Sequence, residues 1–333
     1  MTDPTDPVAD GGTAEADVTA VSRSGDSLRD AILARREIGV LFGFVVLFGL
    51  IAVTRPDIFF SWSDMSGIIS RLFRSIAPYV IMGIGMTYLI IGGEFDLSVG
   101  SMYAVGGISF ALLITKYNII APVALLAVIL IGITVGLTNG VIVTKVGVPS
   151  LITTIGMLSV LRGIAYYMTP SGSVQVPEPA PGLVDLFGGS QVVAGLEISN
   201  QIFWAIGLTV VFGLVLQKTR FGYHIYATGD DEEAALMAGI DTDRVKLMNF
   251  VITAVLAAFA GVVSISYYGS MFGSAGIGFE LLIIAAVVIG GTNLFGGEGT
   301  LFGMFIGAMV IGIIPVVLVL NGLSVEIQEF LTG

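Results

Sequence analysis

The chain has 333 residues, 55% of them hydrophobic and 12% charged, and its 25 acids against 14 Lys and Arg give a net charge of −11. A soluble domain carries roughly 25% charged residues, so the composition excludes an ordinary water-soluble domain, and so few basic residues exclude a nucleic-acid partner. The lack of cysteine excludes disulfides, thiolate metal sites and cysteine nucleophiles.

Runs approaching the roughly 20 apolar residues that a helix needs to cross a bilayer recur along the chain. The ten-residue alternation of barrel strands, of order ~10 per strand, is missing. The expected fold is therefore an all-α polytopic membrane protein with lipid as its main surroundings. Its 45 glycines suit helices that approach closely in lipid.

Residues 1–37 come first. Asp3, Asp6, Asp10, Glu15 and Asp17 occur with no basic residue before position 20. This segment is expected to be a disordered cytoplasmic tail; its acidic start is unlike a signal peptide. A transmembrane domain over 38–333 follows, with apolar segments at 38–53, 75–92, 98–115, 119–139, 149–168, 201–217, 248–268, 280–294 and 300–320. That gives about nine spans. Segments 98–115 (short) and 149–168 (holding Arg162) are candidates for broken or half-spanning helices. Residues 324–333 have the pattern of a further helix start.

Lys and Arg remain on the cytoplasmic side. An N-terminus inside puts Arg23, Arg29, Arg35, Arg36, Lys145, Lys218, Arg220, Arg244 and Lys246 inside, and Arg55, Arg71, Arg74 and Lys116 outside. The expected location is the cell membrane, with 218–247 cytoplasmic and the Pro/Gly-rich 169–200 an external loop. That loop is either a surface for an external partner or a plain connection. Gly132, Gly136 and Gly140 are four apart, as are Gly299, Gly303 and Gly307; each set is expected on one helix face, packed within the chain.

Charges at membrane depth are costly and are paired or line a cavity. Glu94 and Asp96 sit in a glycine-interrupted stretch between two spans. Two readings are open: a piece of the translocation path or gate, or a turn in which Asp96 caps the next helix at the Ser98 N–H. Arg162 is expected to pair with Glu280. A path for a neutral polar solute draws on uncharged polar groups, for which Asn139, Thr153, Thr154, Thr292 and Asn293 are candidates; each could equally bond a neighbouring helix. His224 stands alone and is expected to be solvated. No metal-ligating cluster or nucleophile–base pair is present.

The most polar stretch after the tail is TGDDEEAALMAGIDTDRVK, residues 228–246. Asp230 is expected to cap a short helix, with Glu233 completing a capping box. Acids in its first turn (Asp230, Asp231, Glu232, Glu233) oppose the helix dipole. Gly239 supplies the stop, and Asp241 caps a second helix into the membrane. A two-turn helix with a small body, Ala234 to Ala238, is marginal alone and suits a groove on another protein. An amphipathic helix lying on the bilayer surface is the alternative.

These residues also carry a resemblance. TRFGYHIYATGDDEEAALMAGIDTDRVKLMNFVITAVLAAFAGVV (219–263) resembles the coupling segment of ABC importer permeases of the ribose or monosaccharide type, a family related to branched-chain amino acid permeases. It matches at Thr219, Phe221, Gly222, Ala227, Gly229, Ala234, Ala235, Gly239 and Ile240, and departs at Asp231, where the family usually has Asn. GGEFDLSVGS (92–101), VPSLITTIGMLSVLRGIAY (148–166) and GFELLIIAAVVIGGTNLFGGEGT (278–300) resemble further family runs in the family's order.

The resemblance implies a type II importer-like permease with ten helices, of which the last is incomplete here. It implies import of a monosaccharide such as a ribose-like pentose or a hexose. The partners implied are a second permease subunit forming a homodimer, a cytoplasmic ABC ATPase that docks on 229–240, and an extracytoplasmic solute-binding protein. No phosphate-binding loop occurs in the chain, so it is not expected to be an enzyme or to bind a cofactor; ATP and Mg would be used by the partner ATPase. A branched-chain amino acid or nucleoside permease is the alternative substrate class. An ion-coupled secondary transporter and a non-transporting scaffold are readings of other classes.

Overall fold

A computed structural model describes residues 36–176, 182–193 and 195–322. The acidic segment 1–35 and the helix start expected at 324–333 lie outside them. All nine apolar segments of the sequence coincide with helices: α1 (Arg36–Thr54), α3 (Trp62–Ile91), α4 (Val99–Thr115), α5 (Ala121–Val141), α6 (Ser150–Met168), α8 (Asn200–Lys218), α11 (Thr242–Tyr268), α12 (Phe279–Ile289) and α13 (Leu301–Leu320). Short helices α2 (Pro56–Phe59), α7 (Leu183–Gly188), α9 (Arg220–Asp230) and α10 (Glu232–Met237) connect them. Among the described residues, six helices are long and apolar enough to cross a membrane; α1, α4 and α12 are shorter apolar helices. At a rise of about 1.5 Å per residue, the 11 residues of α12 extend over roughly half of a bilayer core of about 30 Å.

Helix α3 is the main departure from the hydropathy reading. It starts at Trp62, well before residue 75, and runs for 30 residues. Its added turns are amphipathic: Met65, Ile68, Leu72 and Ile76 form one buried stripe, while Asp64, Arg71 and Arg74 lower the hydropathy without breaking the helix. In the opposite sense, α12 ends at Ile289 because Gly290 and Gly291 (φ 93°) stop it.

Helix α11 lies at the centre, packed on α3, α4 and α5. The glycine spacing explains how it fits. A Cβ on Gly132, Gly136 or Gly140 of α5 would stand 2.9, 2.5 and 3.1 Å from the Cα atoms of Val255, Val251 and Leu247, so the stripe faces α11 in the same chain, as expected. Gly303 and Gly307 of α13 approach the backbone of Gly290 and Ala286. The third member of that set, Gly299, is not on the helix: it lies in the preceding loop (φ 159°), against Thr292.

Segment 169–200 is more than a loop. Strand β1 (Ser173–Gln175) pairs antiparallel with β4 (Ser270–Phe272), and β2 (Ser190–Val193) pairs with β3 (Leu196–Ser199). Helix α7 anchors the segment: Phe187 is buried and packs edge-on against Trp204 and Phe259. The connections gather at two ends of the bundle. Residues 92–98, 142–149, 219–241 and 290–300 meet at one end. Residues 54–61, the described parts of 169–199, and 269–278 lie at the other.

Candidate functional site

The first-named end holds most of the residues singled out in the sequence. The α3–α4 connection, GGEFDLS (92–98), begins with Gly92 beside Asn249, whose Nδ2 donates to the Tyr88 carbonyl at 3.0 Å. Asp96 is fully buried, and its Oδ1 accepts the Ser98 N–H at 2.7 Å and the Ser98 hydroxyl at 2.5 Å. This is the Asp96–Ser98 bond of the second reading: it closes the turn onto Ser98, the first flanking residue of α4, and sets the carboxylate near the positive end of that helix. Asn139 of α5 lies alongside, its Nδ2 3.4 Å from Asp96 Oδ2 and 3.3 Å from Ser98 Oγ. From α6, Ser150 Oγ accepts the Phe95 N–H at 3.3 Å and Thr154 Oγ1 accepts the Leu97 N–H at 3.1 Å. Five side chains from two helices and one turn thus form a buried polar knot; Thr153 is buried on α6 next to Thr154.

Four other candidates lie outside the knot. Arg162 does not pair with Glu280. Its guanidinium donates to the carbonyls of Gly273 and Ala275 at 2.8 and 2.7 Å, because the β4–α12 connection turns its backbone oxygens toward α6. Glu280, in the first turn of α12, instead accepts the N–H of the preceding Gly278 at 3.2 Å. Thr292 and Asn293 belong to the 290–300 turn: the Asn293 N–H donates to Glu298 O at 3.0 Å and Asn293 Oδ1 accepts the Phe295 N–H at 3.1 Å. These bonds give Asn293 a turn-building role.

The 219–241 segment folds as two short helices followed by α11. Thr219 caps α9 through the Gly222 N–H at 3.2 Å. The cap of α10 is Asp231, not Asp230: Asp231 is extended (φ −152°, ψ 104°) and its Oδ1 accepts the Ala234 N–H at 2.9 Å. Asp230 is the last residue of α9, and with the cap at Asp231 the third helical position is Ala234, so the expected capping box with Glu233 does not form. Asp231 stands where the family has Asn, and either side chain supplies the capping oxygen. Gly239 (φ 83°) ends α10, with its N–H on Leu236 O and the Ile240 N–H on Ala235 O. Asp241 caps α11 through the Arg244 N–H at 3.0 Å, as expected.

Helix α10 has two faces. Ala235 (4% exposed) and Ile240 (8%) turn into the chain. Leu236 and Met237, the latter 87% exposed, turn away, as do Glu232, Glu233 and Ala234. An exposed apolar pair rimmed by acids on a structured helix is a shape for docking.

Three contacts missed in the sequence tie this segment to the bundle. The Gly297 N–H donates to Ile91 O at 2.9 Å, and Gly229 is wedged against the same carbonyl. The Tyr226 hydroxyl donates to Gly299 O at 2.7 Å. Lys246 Nζ lies 3.0 Å from Glu94 Oε1 and 2.8 Å from Glu232 Oε2. A signal for Lys246 was present: a cation in the first turns of a helix opposes the dipole and calls for acidic partners.

The comparisons with known proteins fit this geometry. The family model described as branched-chain amino acid transport system / permease component matches residues 68–333. The chain belongs to this family of ABC importer permeases. It is 35% identical over 275 residues to the L-arabinose ABC transporter permease protein of Azospirillum brasilense, covering 82% of this chain and 77% of that one. It is 33% identical to the ribose import permease protein of Escherichia coli K12 (85% and 86% covered) and 31% identical to the autoinducer 2 import system permease protein of Photorhabdus luminescens (90% and 86%). No solved structure matches the chain. Members of the family are transport subunits rather than ATPases, and the family implies an ATPase and a binding protein as partners.

Proposed function

We propose that this chain is the membrane-spanning permease subunit of an ATP-driven importer for a monosaccharide, working as a homodimer in the cell membrane with its acidic N-terminal segment in the cytoplasm. An external binding protein delivers the solute to the end carrying 169–200. A cytoplasmic ABC ATPase, which uses ATP and Mg, docks on 229–240 at the other end. The nine apolar helices cross or enter the bilayer, and lipid covers their outward faces.

The observation that carries this reading is α10: a capped, two-faced helix that presents Leu236 and Met237 outward, buries Ala235 and is held to α11 by the Glu232–Lys246 ion pair. A helix of six residues has no stability of its own and no core reason to expose Met237. Sugar is favoured over other solutes by the relatives, which are named for the import of arabinose, ribose and autoinducer 2. The family description names branched-chain amino acids and supports a second reading of the substrate.

The test uses the cysteine-free background. Met237→Cys is made in the full chain, cross-linked in native membranes, and the adduct identified by mass spectrometry. An ABC ATPase is the expected adduct. A thiol that labels freely with a soluble maleimide and never captures such an ATPase overturns the docking reading. Uptake of labelled ribose, arabinose and leucine then separates the substrate classes.

A further inference from the structure

Lys246 holds together three parts of the chain that are far apart in sequence. It sits in the first turns of α11, and its ammonium bridges Glu232, the first residue of α10, and Glu94, in the turn that leads to Asp96. The side chains of Lys246 and Glu94 are 14% and 12% exposed. The exposed pair Lys145–Asp243, by contrast, is 63% and 42% exposed. Surface pairs contribute little, about 0–1 kcal/mol, whereas a sheltered charge that loses its partner is left uncompensated. Two acids around one base also leave the group with a net negative charge, so the acids repel unless the ammonium remains between them.

We propose that Lys246 is a positioning residue which, through Glu94 and Glu232, transmits displacement of α10 to the 92–98 turn and so to the Asp96–Ser98–Asn139 knot. This rests on the reading of α10 as the ATPase-docking helix. Other ties at this end run elsewhere: Gly297 to Ile91 joins the 290–300 turn to α3, and Tyr226 to Gly299 joins α9 to that turn. Only through Lys246, among the described ion pairs, is α10 itself linked to the turn that carries Asp96. Movement of Glu232 pulls Lys246, and Glu94 follows. Two residues beyond Glu94, Asp96 holds the start of α4 and touches α5 through Asn139.

The experiment places a reporter thiol at Phe95→Cys in the full chain and compares maleimide labelling in inside-out native vesicles, with no nucleotide and after trapping with ATP and orthovanadate. The labelling rate is expected to change about fivefold or more, the scale of a modest coupling energy. Lys246→Met is expected to abolish that change while Met237→Cys still cross-links to the ATPase. Lys246→Arg is expected to retain it, since a guanidinium can still bridge both acids. Glu94→Gln provides the same loss from the other side, should Lys246→Met not insert. An unchanged response in both Lys246→Met and Glu94→Gln, with cross-linking intact, overturns the inference alone. Absence of any ATPase adduct on Met237→Cys in the unaltered background overturns the docking reading, and this inference falls with it.

Discussion

The main-chain N–H of Gly297 donates to the carbonyl of Ile91 at 2.9 Å, and that bond joins the end of α3 to the turn before α13. Gly229 sits against the same oxygen, so three segments converge where no side chain fits. A Gly229→Ala substitution would force the coupling segment off this junction. Overpacking of this kind costs about 1–3 kcal/mol. The expected outcome is a lowered melting temperature in detergent and weaker capture of the ATPase by Met237→Cys. Gly207→Ala, on an uncrowded stretch of α8, is the comparison that should leave the melting temperature unchanged.

Arg162 supports the far end of the bundle by two carbonyl bonds rather than by an ion pair. Arg162→Met should leave two carbonyls short of donors, at a cost of about 1–3 kcal/mol. Arg162→Lys should recover part of that, since an ammonium cannot span two acceptors with the same fixed fork. Reversing both Arg162 and Glu280 should give no rescue of the folded fraction on size-exclusion chromatography. Rescue would mean that the two charges meet in the membrane after all.

Much of this architecture was legible because lipid makes helices the only economical solution. All nine apolar segments coincide with helices, and the glycine ladder of α5 packs within the chain as its spacing suggests, with the structure adding that its partner is α11. What hydropathy obscured had a physical reason in each case. The start of α3 is amphipathic, so its charged face masked its buried stripe. The cap of α10 slipped from Asp230 to Asp231 because adjacent acids are equally good caps and only the backbone decides. Contacts between turns distant in sequence, such as Lys246 with Glu94, leave no periodicity to read. Arg162 and Glu280 looked complementary, but backbone oxygens reached the guanidinium first.

The Asp96 knot makes a graded prediction. Asp96→Asn retains an oxygen that can accept the Ser98 N–H, so the fold should survive. Asp96→Ala leaves the buried Ser98 donors without their acceptor and should cost about 1–3 kcal/mol, read as a lower melting temperature. If Asp96 only holds the start of α4, Asp96→Asn should also transport the solute at the rate of the parent chain, with a labelled monosaccharide in vesicles as the measure. A folded Asp96→Asn chain with no uptake would instead give the carboxylate charge a role in the path, the first of the two readings of this turn.

The two faces of α10 give the sharpest local test. Ala235 is 4% exposed and Met237 is 87% exposed, though they lie two residues apart on one short helix. In detergent-solubilised chain without partners, Met237→Cys should react with a soluble maleimide at least about tenfold faster than Ala235→Cys, as expected from the gap between a buried and an accessible thiol. In native membranes the order should narrow or invert, because a docked ATPase would cover Met237 and leave Ala235 where it is. Met237→Asp should then release the ATPase without lowering the melting temperature, whereas Ala235→Leu should lower it through overpacking of about 1–3 kcal/mol. Equal labelling of the two thiols in detergent would show that α10 is not formed as a two-faced helix, and the docking surface assigned to it would have no basis.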